Sequence, residues 1–307
     1  MRSPIARRRR PPSDIAALVK DYKGDPSVAA GESFEPTPAN LEARTQRFAL
    51  PNGMKVALLP KKTRGETVQL QIRLHQGDET SLKGMSPRGE LAASMLALGT
   101  KKRDRQAFED TLDRLRAKLA IGGGETETSV RGQTVRTHLP ELLRLAAEAL
   151  REPAFPPTEF EKLKRERLTA LEEQRTDPQN VAERALQRWD NPYRKGDVRY
   201  VPTYDEELAE IKAAKLDDVK RFYARFVGGA NAELAIVGDF DPAAMKTPRH
   251  RALRRLEEPV AVRARARSLP AAGPHGADSA DARQGERDGV RARAAARSTI
   301  AATTCRR

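Results

Sequence analysis

Over residues 68–74 apolar and polar side chains alternate without a break: Val68, Leu70, Ile72 and Leu74 are interleaved with Gln69, Gln71 and Arg73. Successive strand residues point to opposite faces, so this segment is predicted as a half-buried strand with one face on a core and the other in water. Just upstream, the runs Phe48-Ala49-Leu50 and Val56-Ala57-Leu58-Leu59 flank Pro51-Asn52-Gly53. An Asn-Gly pair between apolar runs predicts a β-hairpin over residues 45–62. Further strands are expected over residues 126–135 and 233–237.

Elsewhere the period is helical. One helix is expected over residues 90–98, and Asp104 caps a second with Phe108, Leu112, Leu115 and Leu119 on one stripe. Leu142, Leu145, Ala146 and Ala149 form one face of a helix that ends before Pro153. Thr158-x-x-Glu161 reads as a capping box opening a long helix through Glu173; Asp177-Pro178 caps the next; Thr203-x-x-Glu206 is a second capping box. Val219, Phe222, Tyr223 and Phe226 line a further helix stopped by Gly228-Gly229, and Asp241-Pro242 opens one more. Gly122-Gly123-Gly124 lacks the Gly-Lys-Ser/Thr of a phosphate loop and reads as a bend between strands. Strands and helices in blocks predict an α+β domain, with helices packed on one face of a mainly antiparallel sheet.

The net charge of +14 would point to nucleic acid if it were spread over that domain. Residues 1–10 carry +5 and residues 247–307 carry +8, which leaves the chain between them at +1. Residues 1–40 form a basic, proline-interrupted segment expected to be disordered, and residues 41–246 form the folded domain. Residues 247–307 contain no Lys and no aromatic residue but 14 Arg and 15 Ala. Such a tail cannot bury enough apolar surface to offset its ordering entropy, so it is expected to be disordered or translated out of frame. The single cysteine, Cys305, excludes an intramolecular disulfide. No apolar run approaches the ~18 residues of a membrane span. The first residues lack the apolar stretch of a signal peptide.

Little in the folded part could carry catalysis. Its two histidines, His75 and His138, have no ligand-like spacing to an acid, and no G-x-S-x-G elbow occurs. The informative segment is residues 89–100, Gly-Glu-Leu-Ala-Ala-Ser-Met-Leu-Ala-Leu-Gly-Thr. It stands in series with Leu-Pro-Asn-Gly-x-Lys-Val at 50–56, Glu-Pro-Ala-Phe-Pro at 152–156 and Ile-Val-Gly-Asp-Phe-Asp-Pro at 236–242. In order and spacing these motifs resemble the inverzincin family of zinc peptidases (pitrilysin, insulin-degrading and mitochondrial-processing types). In that family the first of these helices carries H-x-x-E-H and soon ends in Gly-Thr. The resemblance sets the two histidine positions on Glu90 and Ser94, and the catalytic glutamate position on Ala93. A catalytic zinc needs three protein ligands, an open position and a base, which this trio does not supply. The family's third ligand and a further glutamate lie seven residues apart on a later helix. Glu166 and Glu173 hold those positions as vestiges, read here as part of a solvated charged face.

The resemblance implies the first domain of the second, non-catalytic half of a bacterial zinc peptidase, truncated and inactive alone. Its implied role is to wall the substrate chamber and pack on a catalytic half, which would hold the zinc; no cofactor is expected in this chain. The Arg and Tyr that the family's second half lends to catalysis lie in the following domain, past Asp241. Asn191-Pro192-Tyr193-Arg194 and Arg199-Tyr200 are expected to be loop. The implied partners are a catalytic zinc-peptidase half or subunit and the complete enzyme's peptide substrate, with no membrane. A stand-alone inactive subunit paired with a separate catalytic chain is one alternative. Nucleic-acid binding through the Arg-rich ends is the other, disfavoured by the lack of a folded basic scaffold. A periplasmic parent is implied by resemblance alone.

Overall fold

The computed structural model describes residues 30–229 and 231–245. The expectations for residues 1–29 and 247–307, including Cys305, lie outside these. The hairpin forms as the Asn-Gly signal dictates: β1 (Gln46–Ala49) pairs antiparallel with β2 (Lys55–Pro60) around a turn in which Gly53 has φ 89°. Residues 30–40 are tied to this hairpin. Glu32 pairs with Arg44 at 2.6 Å, and Phe34 lies under Lys61 and Arg44. Thr37 caps a short helix, α1 (Pro38–Arg44).

β3 (Thr67–His75) has the alternation read from its sequence, with Val68, Leu70, Ile72 and Leu74 all buried. It pairs antiparallel along its whole length with β5 (Glu127–Val135) on one side, and on the other with β6 (Ala232–Gly238). β6 arrives last in the chain yet slots between β2 and β3, parallel to β2, in a sheet of order β1-β2-β6-β3-β5-β4 whose edge strand β4 is Lys118–Gly123. The sheet is therefore mixed but mainly antiparallel, and the architecture is α+β.

The helices that cover the inner face are α2 (Arg88–Met95), α4 (Leu139–Arg151) and α8 (Leu216–Phe226). Ile72, Val130 and Leu234 from the sheet meet Leu142 and Ala146 of α4 and Val219 and Phe222 of α8 in one continuous core. Each of the larger side chains among them contributes about 1.5–3 kcal/mol by leaving water. Tyr223 lies edge-on to Phe155, with ring centroids 5.2 Å apart, and donates its hydroxyl to Leu150 O at 2.8 Å. Burial of that hydroxyl pushes its pKa up to about 12.

Three local expectations are corrected. Leu119 does not extend the stripe of α3 (Arg105–Arg114): the helix ends there, and Leu119 lies in a short edge strand, β4 (Lys118–Gly123). A leucine four residues past Leu115 fits helical spacing, but the Arg116 φ of 47° breaks the helix first. Gly122 and Gly123 belong to β4 itself, and the bend to β5 falls at residues 124–126. The long helix α5 (Pro157–Thr176) starts before Thr158, with Pro156 at its N-cap and no side-chain cap. Thr158 is the second residue of the helix, past the N-cap position from which a capping box acts. The caps by Asp104, by Asp177 on α6 (Pro178–Trp189) and by the Thr203–Glu206 box on α7 (Tyr204–Ala213) form as their sequences specify. The helix after Asp241 is α9 (Pro242–Met245).

Candidate functional site

Helix α2 runs close beneath the bend that joins β4 to β5. A Cβ at Gly89 would lie 2.6 Å from Glu125 Cα and 2.7 Å from Gly124 O, both backbone atoms, so only glycine permits this approach. The contact brings Glu90 and Glu125, from segments far apart in sequence, into one partly buried region. At the other end of α2, Gly99 O accepts from Ala154 N at 3.1 Å and Thr100 bridges to Pro153. The Thr100 hydroxyl donates to Glu148 at 2.6 Å, and Glu148 also pairs with Arg103. The Gly-Thr and Glu-Pro-Ala-Phe-Pro motifs are thus two sides of one joint that fixes the helix in place.

Glu90 Oε1 accepts from Arg167 Nη2 of α5 at 2.8 Å. The same nitrogen is 3.5 Å from Glu207 Oε1 on α7, and Glu207 Oε2 accepts from Arg184 of α6 at 2.7 Å. Glu90, Arg167, Glu207 and Arg184 therefore form one chain of alternating charge linking four helices. Arg184 also lies over the ring of Tyr204, with its guanidinium carbon 4.2 Å from the centroid. Burial pushes the Glu90 carboxyl above the usual range; Arg167 opposes the rise and Glu207 adds to it. Burial likewise raises Glu125, with further increments from Glu90, Glu210 and Glu207. Arg167 Nε is buried without a hydrogen-bond partner among the described residues.

The residues singled out in the sequence fall as follows. Glu90 faces Arg167; Ala93 is fully buried; Ser94 is half-buried on the same helix. Glu166 is exposed and approaches Lys162 only at 4.0 Å, and Glu173 is exposed near the end of α5. The residue of α5 that reaches α2 is Arg167, one position beyond Glu166. Zinc does not fit this donor set. A guanidinium already neutralises Glu90, Ala93 has no ionisable group, and Glu166 and Glu173 of α5 are exposed. Among the described residues no three His, Cys, Asp or Glu side chains converge as metal ligands. His75, at the end of β3, lies between Glu127 and Glu233 at 3.7 and 3.9 Å; His138 follows β5 beyond Val135, the partner of Thr67. Eight residues of strand separate His75 from Thr67, so the two histidines stand at opposite ends of the sheet, roughly 26 Å apart.

Sequence reasoning missed Arg167, Glu207, Arg184 and Glu125. Arg167 did carry a signal, since it sits midway between Leu163 and Leu171 on the apolar stripe of α5 and must turn to the same packed side. The loop joining α6 to α7 is held by charge. Arg199 pairs with Asp197 and Glu79, at 2.8 and 2.7 Å, and stacks 3.8 Å from the Tyr193 centroid. Glu206 accepts from Thr203 N and the Tyr200 hydroxyl, and its carboxyl is held down at about 2.

No protein-family model and no curated protein sequence matches the chain. Solved structures do. A peptidase M16 inactive domain from Pseudomonas fluorescens superposes with a TM-score of 0.62 at 19% identity, over 72% of this chain and 52% of that one. A protease from Helicobacter pylori superposes with a TM-score of 0.58 at 19% identity, over 70% of this chain and 51% of that one. The chain thus spans about half the length of the structures it matches. The fold is that of peptidase M16 domains, the pitrilysin type.

Proposed function

We propose that this chain is a non-catalytic domain of a pitrilysin-type zinc peptidase, with an architectural role beside a catalytic half. The observation that carries the reading is the Glu90–Arg167–Glu207–Arg184 chain. The family resemblance calls for metal ligands on α2 and α5, and in this chain the contact between these two helices is made by an arginine, Arg167, against Glu90. A single guanidinium can hold two helices together through their carboxylates but cannot activate a water for attack on a peptide bond. The likeness to a solved inactive domain supports the same reading. Zinc, base and the chemistry of peptide cleavage would belong to the catalytic half, as a linked domain or a separate chain.

The domain's contribution would be to pack against that half and to form part of the chamber wall. Helix α6 supports a packing role. Val181, Leu186 and Trp189 are 43%, 52% and 57% exposed, an unusual run of large apolar groups for a surface helix. The test is a peptidase assay of the purified full chain on a mixture of internally quenched peptides with added zinc. The expected result is no turnover above buffer. Zinc-dependent cleavage that is abolished by Glu90→Gln would overturn the proposal.

A further inference from the structure

The outer face of the sheet carries both signs of charge near His75, where Glu127 and Glu233 lie, but the part over residues 118–120 and 131–133 carries only cations. Strand register fixes which side chains share it. Lys118, Gln133, Gln69 and Val237 stand directly opposite one another across β4, β5, β3 and β6. The next row is Ala120, Arg131, Gln71 and Ala235. The long side chains rim a groove of about 490 Å³ floored by the small ones, and no acidic residue lines it. Lys118 and Arg131 are exposed and make no ion pair or hydrogen bond among the described residues, nor do the three glutamine side chains. An acidic ligand in this groove would meet two cations and no opposing carboxylate among the lining residues. Val237, 38% exposed, stands at the far end of the row from Lys118.

We propose that this face binds an extended acidic peptide segment of another protein. Lys118 and Arg131 are diagonal neighbours across β4 and β5, about 7–8 Å apart at the backbone. An extended chain repeats its side chains on one face every two residues, about 6.6–6.8 Å. Carboxylates at alternate positions therefore meet both cations together, while the glutamine amides offer donors and acceptors to the peptide backbone. Residues 1–10 and 247–307 of the chain itself carry +5 and +8, a sign that opposes their seating beside two cations. A nucleic-acid strand would want aromatic platforms for its bases, and neither row contains one. The inference rests on the sheet face alone and stands whether or not the chain belongs beside a catalytic half.

The test is fluorescence anisotropy on the full chain with three labelled probes: an alternating Glu-Val octapeptide, its Lys-Val counterpart, and a single-stranded oligonucleotide. The expected result is saturable binding of the acidic probe that weakens with salt and falls at least tenfold in Lys118→Glu/Arg131→Glu. The same charge change on the helical side, Arg165→Glu/Lys220→Glu, should leave it unaltered. All four positions are exposed, so circular dichroism should be unchanged in both variants. The proposal is overturned if the acidic probe does not bind, if both double variants lose binding equally, or if the outer-face variant retains it. Preferential binding of the Lys-Val probe or of the oligonucleotide overturns it as well.

Discussion

Arg167 Nη2 lies 2.8 Å from Glu90 Oε1 and 3.5 Å from Glu207 Oε1, so one guanidinium joins α5 to both α2 and α7. Both carboxylates are largely withdrawn from water, and removing the cation leaves them facing each other. Arg167→Met is expected to destabilise the domain by about 1–3 kcal/mol, less than for a fully buried pair because the side chains keep about a third of their exposure. In a Glu90→Gln/Arg167→Met double-mutant cycle the coupling should be about 1–2 kcal/mol. The exposed Glu166–Lys162 pair of the same helix should give less than about 0.5 kcal/mol. Urea melts of the four proteins in each cycle decide between these values.

The seat of α2 against the β4–β5 bend makes a sharper steric prediction. Gly89→Ala drives a Cβ into the backbone of Gly124 and Glu125, where no side chain can swing aside, and should cost about 2–3 kcal/mol. Gly124→Ala meets nothing within 4 Å and has no positive φ that would strain it. That variant should be neutral, or more stable by up to about 1 kcal/mol through its less flexible unfolded chain. Thermal melting of the two alanine variants is the check.

The partition of the sheet into a covered and a bare face can be measured too. Phe222→Ala removes a ring packed in the main core and should cost about 3–5 kcal/mol. Val237→Ala, on the outer face and 38% exposed, should change stability by no more than about 0.5 kcal/mol. Similar losses at both positions would mean that the outer face is also packed.

Stability should rise and then fall as the pH is lowered from neutrality. Burial raises the carboxyls of Glu90, Glu125 and Glu210 in the folded state, so the fold binds their protons more readily than the unfolded chain. These groups oppose folding while charged, and acidification from neutral pH towards the ordinary carboxylate range relieves them. Glu206 and Glu148 are held low by their donors, so their contribution is lost as the pH falls below the ordinary range, down to about 2 for Glu206. Melting temperature against pH should therefore peak on the acid side. Glu125→Gln should raise stability at pH 7 and flatten the approach to the peak; a curve unchanged by this substitution would contradict the assignment.

How far the fold was legible follows from the range of the interactions involved. The Asn-Gly hairpin, the alternation over residues 68–74 and the caps by Asp104, Asp177 and Thr203 are local, so a few consecutive residues declare them. The placement of β6 between β2 and β3 depends on pairing across most of the chain, and nothing within Ala232–Gly238 announces its neighbours. Leu119 was misplaced because spacing alone does not reveal a positive φ three residues earlier. At the candidate site, Glu90, Ala93 and Ser94 could be singled out from one helix, whereas their surroundings come from α5, α6, α7 and the β4–β5 bend. Arg167 was hidden among the charges of α5, though its position on the stripe with Leu163 and Leu171 distinguishes it from Glu166.

The central claim, that α2 and α5 are joined by an arginine crosslink and not by a metal, is tested most directly by metal content. The full chain, stripped with chelator, equilibrated with a small excess of zinc and desalted, should carry well under one zinc per chain by plasma mass spectrometry. Glu90→Gln should carry no less than the unaltered protein. One zinc per chain, lost on Glu90→Gln, would contradict the account and make α2 a metal-binding helix.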